Sequence, residues 1–322
     1  MIEKLTDKSD VCRVLGEVRA TSEQQLKTMR QAALEVIGND PEIIVGVNGS
    51  IARREATSGS DVDLFFLTLE CSHQKASHLK EEYRNKLDAL GIPMPASGGV
   101  FEQPLPVTEL ASKIGGEDDT NTYITRRMLY LLEGEWIHNE KEFTNLRQRL
   151  VKHYVPDDLE PHKLCRYFLS DVIRYWRTIC IDFEFKTSEA SKPRAIRLIK
   201  LRLSRMMLYF GGIAAVSETV NKNAAEKRRV LLRLLAKPPI DRLIDVFGRN
   251  EIEDALAAYA TFLHSLDRRS VREALSLEGR QGLETEAFEQ LSDVARDFRN
   301  ELVKQLIKPD RSRDEFVSAI LL

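Results

Sequence analysis

The chain has 322 residues, 43% hydrophobic and 30% charged, with a formal net charge of -2. It is long enough for two units with cores of their own, too apolar for a disordered chain and too polar for a bilayer protein. No run of about 18 uncharged apolar residues occurs, and the first residues lack the apolar stretch of a signal peptide, so a cytoplasmic protein with no membrane partner is expected. The four cysteines, Cys12, Cys71, Cys165 and Cys180, are far apart and form no CxxC pair, which argues against a disulfide framework or a zinc ribbon. The net charge conceals a split: residues 1–150 carry 18 Lys and Arg against 24 Asp and Glu, whereas residues 151–322 carry 30 against 26. Chance accounts for such a split; so does a carboxylate metal site in one half and a phosphate-binding surface in the other.

In chain order, the first 38 residues read as helix, because Val11, Val14, Leu15 and Val18, then Leu26, Met29, Ala32, Ala33, Val36 and Ile37, recur near a 3.6-residue period. Gly38 to Pro41 ends it. Ile43 to Val47 is strand-like in length and β-branching, as is Asp61 to Leu67. Residues 73–90 form a charged helix, and Gly98 to Glu102 reads as a third strand. From Gly115 onward the strand signal disappears, and residues 121–134, 140–153, 161–186, 192–217, 222–236, 240–247, 251–272 and 283–308 read as helices. The chain is α/β first and all-α second, with the two parts meeting near residues 104–120.

The chemistry lies between Gly46 and Leu64. A strand runs into Gly49-Ser50, where glycine lets the backbone approach a ligand and Ser50 offers a hydroxyl and an amide N–H, a turn suited to a phosphate. Ten residues later come Asp61 and Asp63. Two apart on a strand, they share one face while Val62 and Leu64 point to the other. Adjacent carboxylates repel unless a cation sits between them, and hard oxygen ligands beside a phosphate turn suit Mg²⁺ carried on a nucleoside triphosphate.

This pattern resembles the nucleotidyltransferase superfamily of the polymerase β type. Residues 49–67, GSIARREATSGSDVDLFFL, look most like the branch of bacterial uridylyltransferases and adenylyltransferases of nitrogen regulation. There the segment usually reads Gly-Ser-x-Ala-Arg-Gly-Glu before Ser-Asp-x-Asp, and Arg54 stands here in place of the glycine. The Thr-Arg-x2-Leu-x3-Glu spacing of residues 125–133 is similar to the stretch that follows the catalytic domain in that branch.

The resemblance implies an α+β fold: a nucleotidyltransferase α/β domain with a short mixed sheet over residues 1–115, then an all-α helical bundle over 116–322 that closes the nucleotide and acceptor cleft. It implies Mg²⁺ or Mn²⁺ on Asp61, Asp63 and a third carboxylate, Glu102 or alternatively Glu109. It also implies an NTP, ATP or UTP first, held by Gly49, Ser50, Arg53, Arg54, Ser60 and Arg174.

Each residue also has a plainer account. Arg53 and Arg54, like Arg126 and Arg127, contact phosphate or are merely solvated. Asp171, Arg174 and Thr178 line one helical face near Tyr175 and Arg177, either at the nucleotide cleft or as a structural ion pair. Arg197, Lys200 and Arg202 form a basic patch or a solvated face. The six histidines show no metal-ligand spacing. Arg147, His153 and Tyr154 are only faintly similar to a helical ribonuclease pattern.

The expected function is Mg²⁺-dependent transfer of a nucleoside monophosphate from an NTP to an acceptor, with pyrophosphate released. A protein side chain or a small molecule is preferred over RNA, because the basic half carries little excess charge. A nucleotide-binding regulatory module without turnover and an oligonucleotide second-messenger synthase are the alternatives. The sequence does not address the oligomeric state.

Overall fold

The structure, a computed structural model, describes residues 2–70, 73–94, 100–112, 114–188, 192–308 and 319–320. Cys71, and Gly98 and Gly99 of the expected third strand, lie outside them. The fold is α+β, with a four-stranded mixed sheet among many helices. It divides into two compact units, Val18–Asp158 and Met1–Glu17 with Leu159–Leu322. The boundary expected at residues 115 and 116 therefore falls inside the first of these.

Helix α1 (Lys8–Ile37) supplies its first turns to one unit and the remainder to the other. In Val18–Asp158 it is followed by β1 (Ile43–Asn48), the short α2 (Gly49–Ala52), β2 (Asp63–Thr68), α3 (His73–Ala89), β3 (Leu105–Pro106), α4 (Val107–Ser112), α5 (Asn121–Leu132), β4 (Glu135–His138) and α6 (Glu140–Tyr154). The sheet order is β3-β2-β1-β4. β1 runs antiparallel to β2 and β4, and β3 is parallel to β2.

Period-2 alternation gives the sheet two buried faces. Ile43, Val45, Val47, Leu64 and Phe66 pack with Leu26, Met29, Ala33 and Ile37 of α1 and with Ala76, Tyr83 and Leu87 of α3. The opposite face carries Phe65, whose ring lies 5.1 Å from Phe101, 5.8 Å from Tyr130 and 6.3 Å from Phe143. Gly46, the cross-strand partner of Phe65, leaves room for that ring: a Cβ there would stand 2.1 Å from it.

Two expectations about strands are corrected. Val100 to Glu102 is a turn, and the strand beside β2 comes later, at Leu105–Pro106. β4 was not expected at all: it is four residues long with one deeply buried side chain, Ile137, so alternation gives little signal, yet it extends the sheet beyond β1. Gly134 before it is tied down by Arg147, whose Nη2 donates to its carbonyl at 2.7 Å.

The other unit contains α7 (Arg166–Ser188), α8 (Arg194–Lys200), a π turn (Leu201–Arg205), α9 (Met206–Ser217), α10 (Ala224–Leu235), α11 (Pro239–Phe247), α12 (Glu253–Asp267), α13 (Arg269–Leu275) and α14 (Glu286–Leu306). The segment expected as one helix over 192–217 is thus interrupted by the π turn. α9 is buried from Phe210 to Val216 and packs against α7, α10 and α11. Lys227 is buried beside it, its ammonium donating to the carbonyls of Pro161 and Thr219. Among the described residues no helix is long and apolar enough to cross a membrane.

Gly46→Ala should lower stability by about 1–3 kcal/mol in urea unfolding, since the added carbon overpacks the sheet. Phe65→Leu in the same chain should recover part of the loss, because it vacates the space the new carbon needs.

Candidate functional site

β1 ends at Asn48, and the chain turns sharply into the four residues of α2. Gly49 has φ +79, and a Cβ on it would lie 2.8 Å from Asp63 Oδ2. Glycine is needed here for the left-handed backbone and for the close approach of that carboxylate. The turn is closed by backbone bonds from Arg53 N to the Gly49 carbonyl, 3.0 Å, and from Glu55 N to the Ser50 carbonyl, 2.8 Å.

Asp63 opens β2 directly opposite Asn48. Asp61 lies two residues earlier, just outside the strand. Asp61 and Asp63 are exposed while Val62 and Leu64 are buried, the alternation that puts both carboxylates on one face. Ser60 shapes the approach to them: its Oγ accepts from Thr57 N at 3.0 Å, and its N–H donates to the Thr57 carbonyl at 2.9 Å.

Arg53 and Arg54, expected to meet phosphate, are placed against carboxylates. Arg53 is buried, with Nε 2.8 Å from Glu55 and Nη1 2.5 Å from Glu133. Glu133 is itself buried and also accepts from Gly49 N at 3.2 Å. Arg54 has φ +62, a left-handed conformation that glycine adopts without strain and arginine does not. Here the left-handed arginine is held by Glu135 at 2.8 Å, Glu23 at 2.9 Å and the Ala52 carbonyl at 2.8 Å. Glu135 also binds Arg30 at 2.7 Å, and that guanidinium lies 3.7 Å from the centre of the Trp136 ring.

Glu133 and Glu135, at the end of α5 and the start of β4, are the residues that sequence reasoning assigned no role. The signal was present: Glu133 closes the Thr-Arg-x2-Leu-x3-Glu spacing. Only the pairing of β4 with β1, Glu135 opposite Val47, reveals what it reaches.

The other expected residues have settings of their own. Glu102 is exposed on the turn after Val100, held through its backbone carbonyl by the Lys80 ammonium, which also donates to Phe101 O at 3.0 Å. Glu109 on α4 accepts from the Tyr123 hydroxyl at 3.1 Å. Among the described residues no three His, Cys, Asp or Glu side chains are grouped to hold a metal. Arg126 donates to Val100 O at 2.6 Å, and Arg127 forms a fully buried pair with Asp119 and donates to the Tyr154 hydroxyl. In the helical unit Asp171 and Tyr175 are buried, Arg174 and Arg197 are half-buried, and Lys200 and Arg202 are exposed.

The arrangement provides two exposed carboxylates beside a rigid glycine turn, suited to a hard cation and to a polyphosphate, and the Ser50 hydroxyl at the same turn. Compared with protein-family models and with curated proteins, the chain matches none.

Glu133→Ala should cost about 3–5 kcal/mol in thermal or urea unfolding, because it strips a buried guanidinium of one of its two carboxylates and leaves Gly49 N–H unpaired. Burial, with a smaller push from Arg84, lowers the Lys80 ammonium to about 8, against about 10.4 in an unfolded chain. Between those values the unfolded state binds the proton and the folded state does not, so stability rises with pH across that window and levels off above it. Urea midpoints measured from pH 7.5 to 10.5 should show this rise in the wild type relative to Lys80→Met.

Proposed function

We propose that this protein is a nucleotidyltransferase that moves a nucleoside monophosphate from an NTP, ATP or UTP first, to a protein side chain or small-molecule acceptor and releases pyrophosphate. In this reading the catalytic domain lies within Val18–Asp158. One observation carries it: the Asp63 carboxylate lies against Gly49, with Asp61 on the same exposed face.

Asp61 and Asp63 suit Mg²⁺ or Mn²⁺, which are commonly held by one or two carboxylates together with substrate phosphates. When bound, such an ion neutralises charge on the triphosphate and on the leaving pyrophosphate. The chain's own part is positional. Gly49 N–H is already engaged by Glu133, which leaves phosphate contact in this reading to Ser50, through its hydroxyl and its N–H. Arg53 and Arg54 hold the turn rigid through their carboxylate partners. Ser60 fixes the loop that delivers Asp61.

Incubation with each labelled NTP and Mg²⁺ should yield pyrophosphate and labelled acceptor. Asp61→Ala and Asp63→Ala should each reduce product by on the order of 10²–10³, the scale of losing one electrostatic contact in a transition state, with unfolding midpoints close to the wild type. Nucleotide binding with no product across protein and small-molecule acceptors would instead favour the regulatory module.

A further inference from the structure

The bonds of the turn leave the role of Asn48 unexplained. It is 3% exposed, and its Oδ1 is buried without a hydrogen-bond partner among the described residues; the side chain does not cap α2. A buried carbonyl without a partner has lost its water and gained nothing in exchange, so an atom left in that state in a native fold calls for an explanation.

Its position supplies one. Asn48 is the cross-strand partner of Asp63, and such partners share a face with Cβ atoms about 4.5–5.5 Å apart. Asp61 is on that face by the same alternation, and Gly49, against which Asp63 Oδ2 lies, is the next residue. Three side chains bearing oxygen acceptors therefore share one end of one sheet face. A hard cation is shared readily by several such oxygens, whereas a single hydroxyl donor serves one.

From this we infer that Asn48 Oδ1 is the third oxygen donor, with Asp61 and Asp63, of a divalent-cation site, and that Glu102 is not. The inference rests on the reading of Asp61 and Asp63 as cation ligands. It makes this end of the sheet an all-oxygen site in which one ligand is neutral and preset by burial.

The test is Mn²⁺ binding to the full-length, metal-free protein without nucleotide, followed by the electron paramagnetic resonance signal of free Mn²⁺. The wild type should bind saturably. Asn48→Ala should bind on the order of tenfold more weakly and, in chelator, should unfold at a temperature no lower than the wild type, because it removes an unpaired buried oxygen. Asn48→Asp should retain Mn²⁺ binding but melt lower in chelator, since a third carboxylate repels the other two. Glu102→Gln should bind as the wild type does. Absence of saturable binding in the wild type, wild-type affinity in Asn48→Ala, or a lowered melting temperature of Asn48→Ala in chelator each overturns the inference. Pyrophosphate release is scored separately: Mn²⁺ binding that depends on Asn48 without release from any NTP leaves the cation site standing and removes the transferase reading, and the converse result does the opposite.

Discussion

The site depends on one buried cation. Arg53 lies beneath the Gly49-Ser50 turn between Glu55 and Glu133. Removing a guanidinium from water costs several kcal/mol and is recovered only through well-placed carboxylates and hydrogen bonds. That requirement links the turn after β1 and the adjoining loop toward β2 to the end of α5, 80 residues further along the chain. Glu133 meets it twice, pairing with Arg53 and accepting from Gly49 N–H, so the turn is anchored from below.

A second consequence is electrostatic. Arg53 with two carboxylates leaves a net negative charge, and the exposed Asp61 and Asp63 add to it at the same end of the sheet. The arginines expected to attract phosphate are paired with carboxylates, and the residues named here sum to a negative formal charge. The larger charge distribution agrees in sign. Residues 18–158 carry 16 Lys and Arg against 22 Asp and Glu, and the rest of the chain 32 against 28, so the split seen in the raw sequence persists when the chain is divided where the structure divides it.

Arg54 shows how local strain and tertiary contacts trade against each other. A left-handed arginine is disfavoured by about 1–2 kcal/mol, and glycine would remove that strain. Glycine would also lose the bonds to Glu135, Glu23 and the Ala52 carbonyl that join α1, the turn and β4. The chain therefore accepts strain at one residue in exchange for a cross-linked base.

Much of this was legible in residue order. Helix periodicity marked α1, α3 and the helices after Pro161, and β-branched runs marked β1 and β2, because both signals are local. The Gly49-Ser50 and Asp61-Asp63 pair was readable for the same reason: period-2 alternation dictates that the aspartates share a face. What residue order could not decide was non-local. β4 is too short to signal itself and exists because β1 offers an edge to pair with. Glu102 had the right chemistry for a third ligand but sits on a turn, while Asn48, an unremarkable polar residue at a strand end, became notable only when register set it opposite Asp63 and burial removed its water. Sequence by itself determined most of the helices, β1, β2 and the carboxylate face, since these follow from backbone geometry over a few residues; β3 and β4, the partners of Arg53 and Arg54, the role of Glu133 and the isolation of Asn48 were decided by tertiary structure, because only folding sets which edges pair and which charges and oxygens are left without solvent.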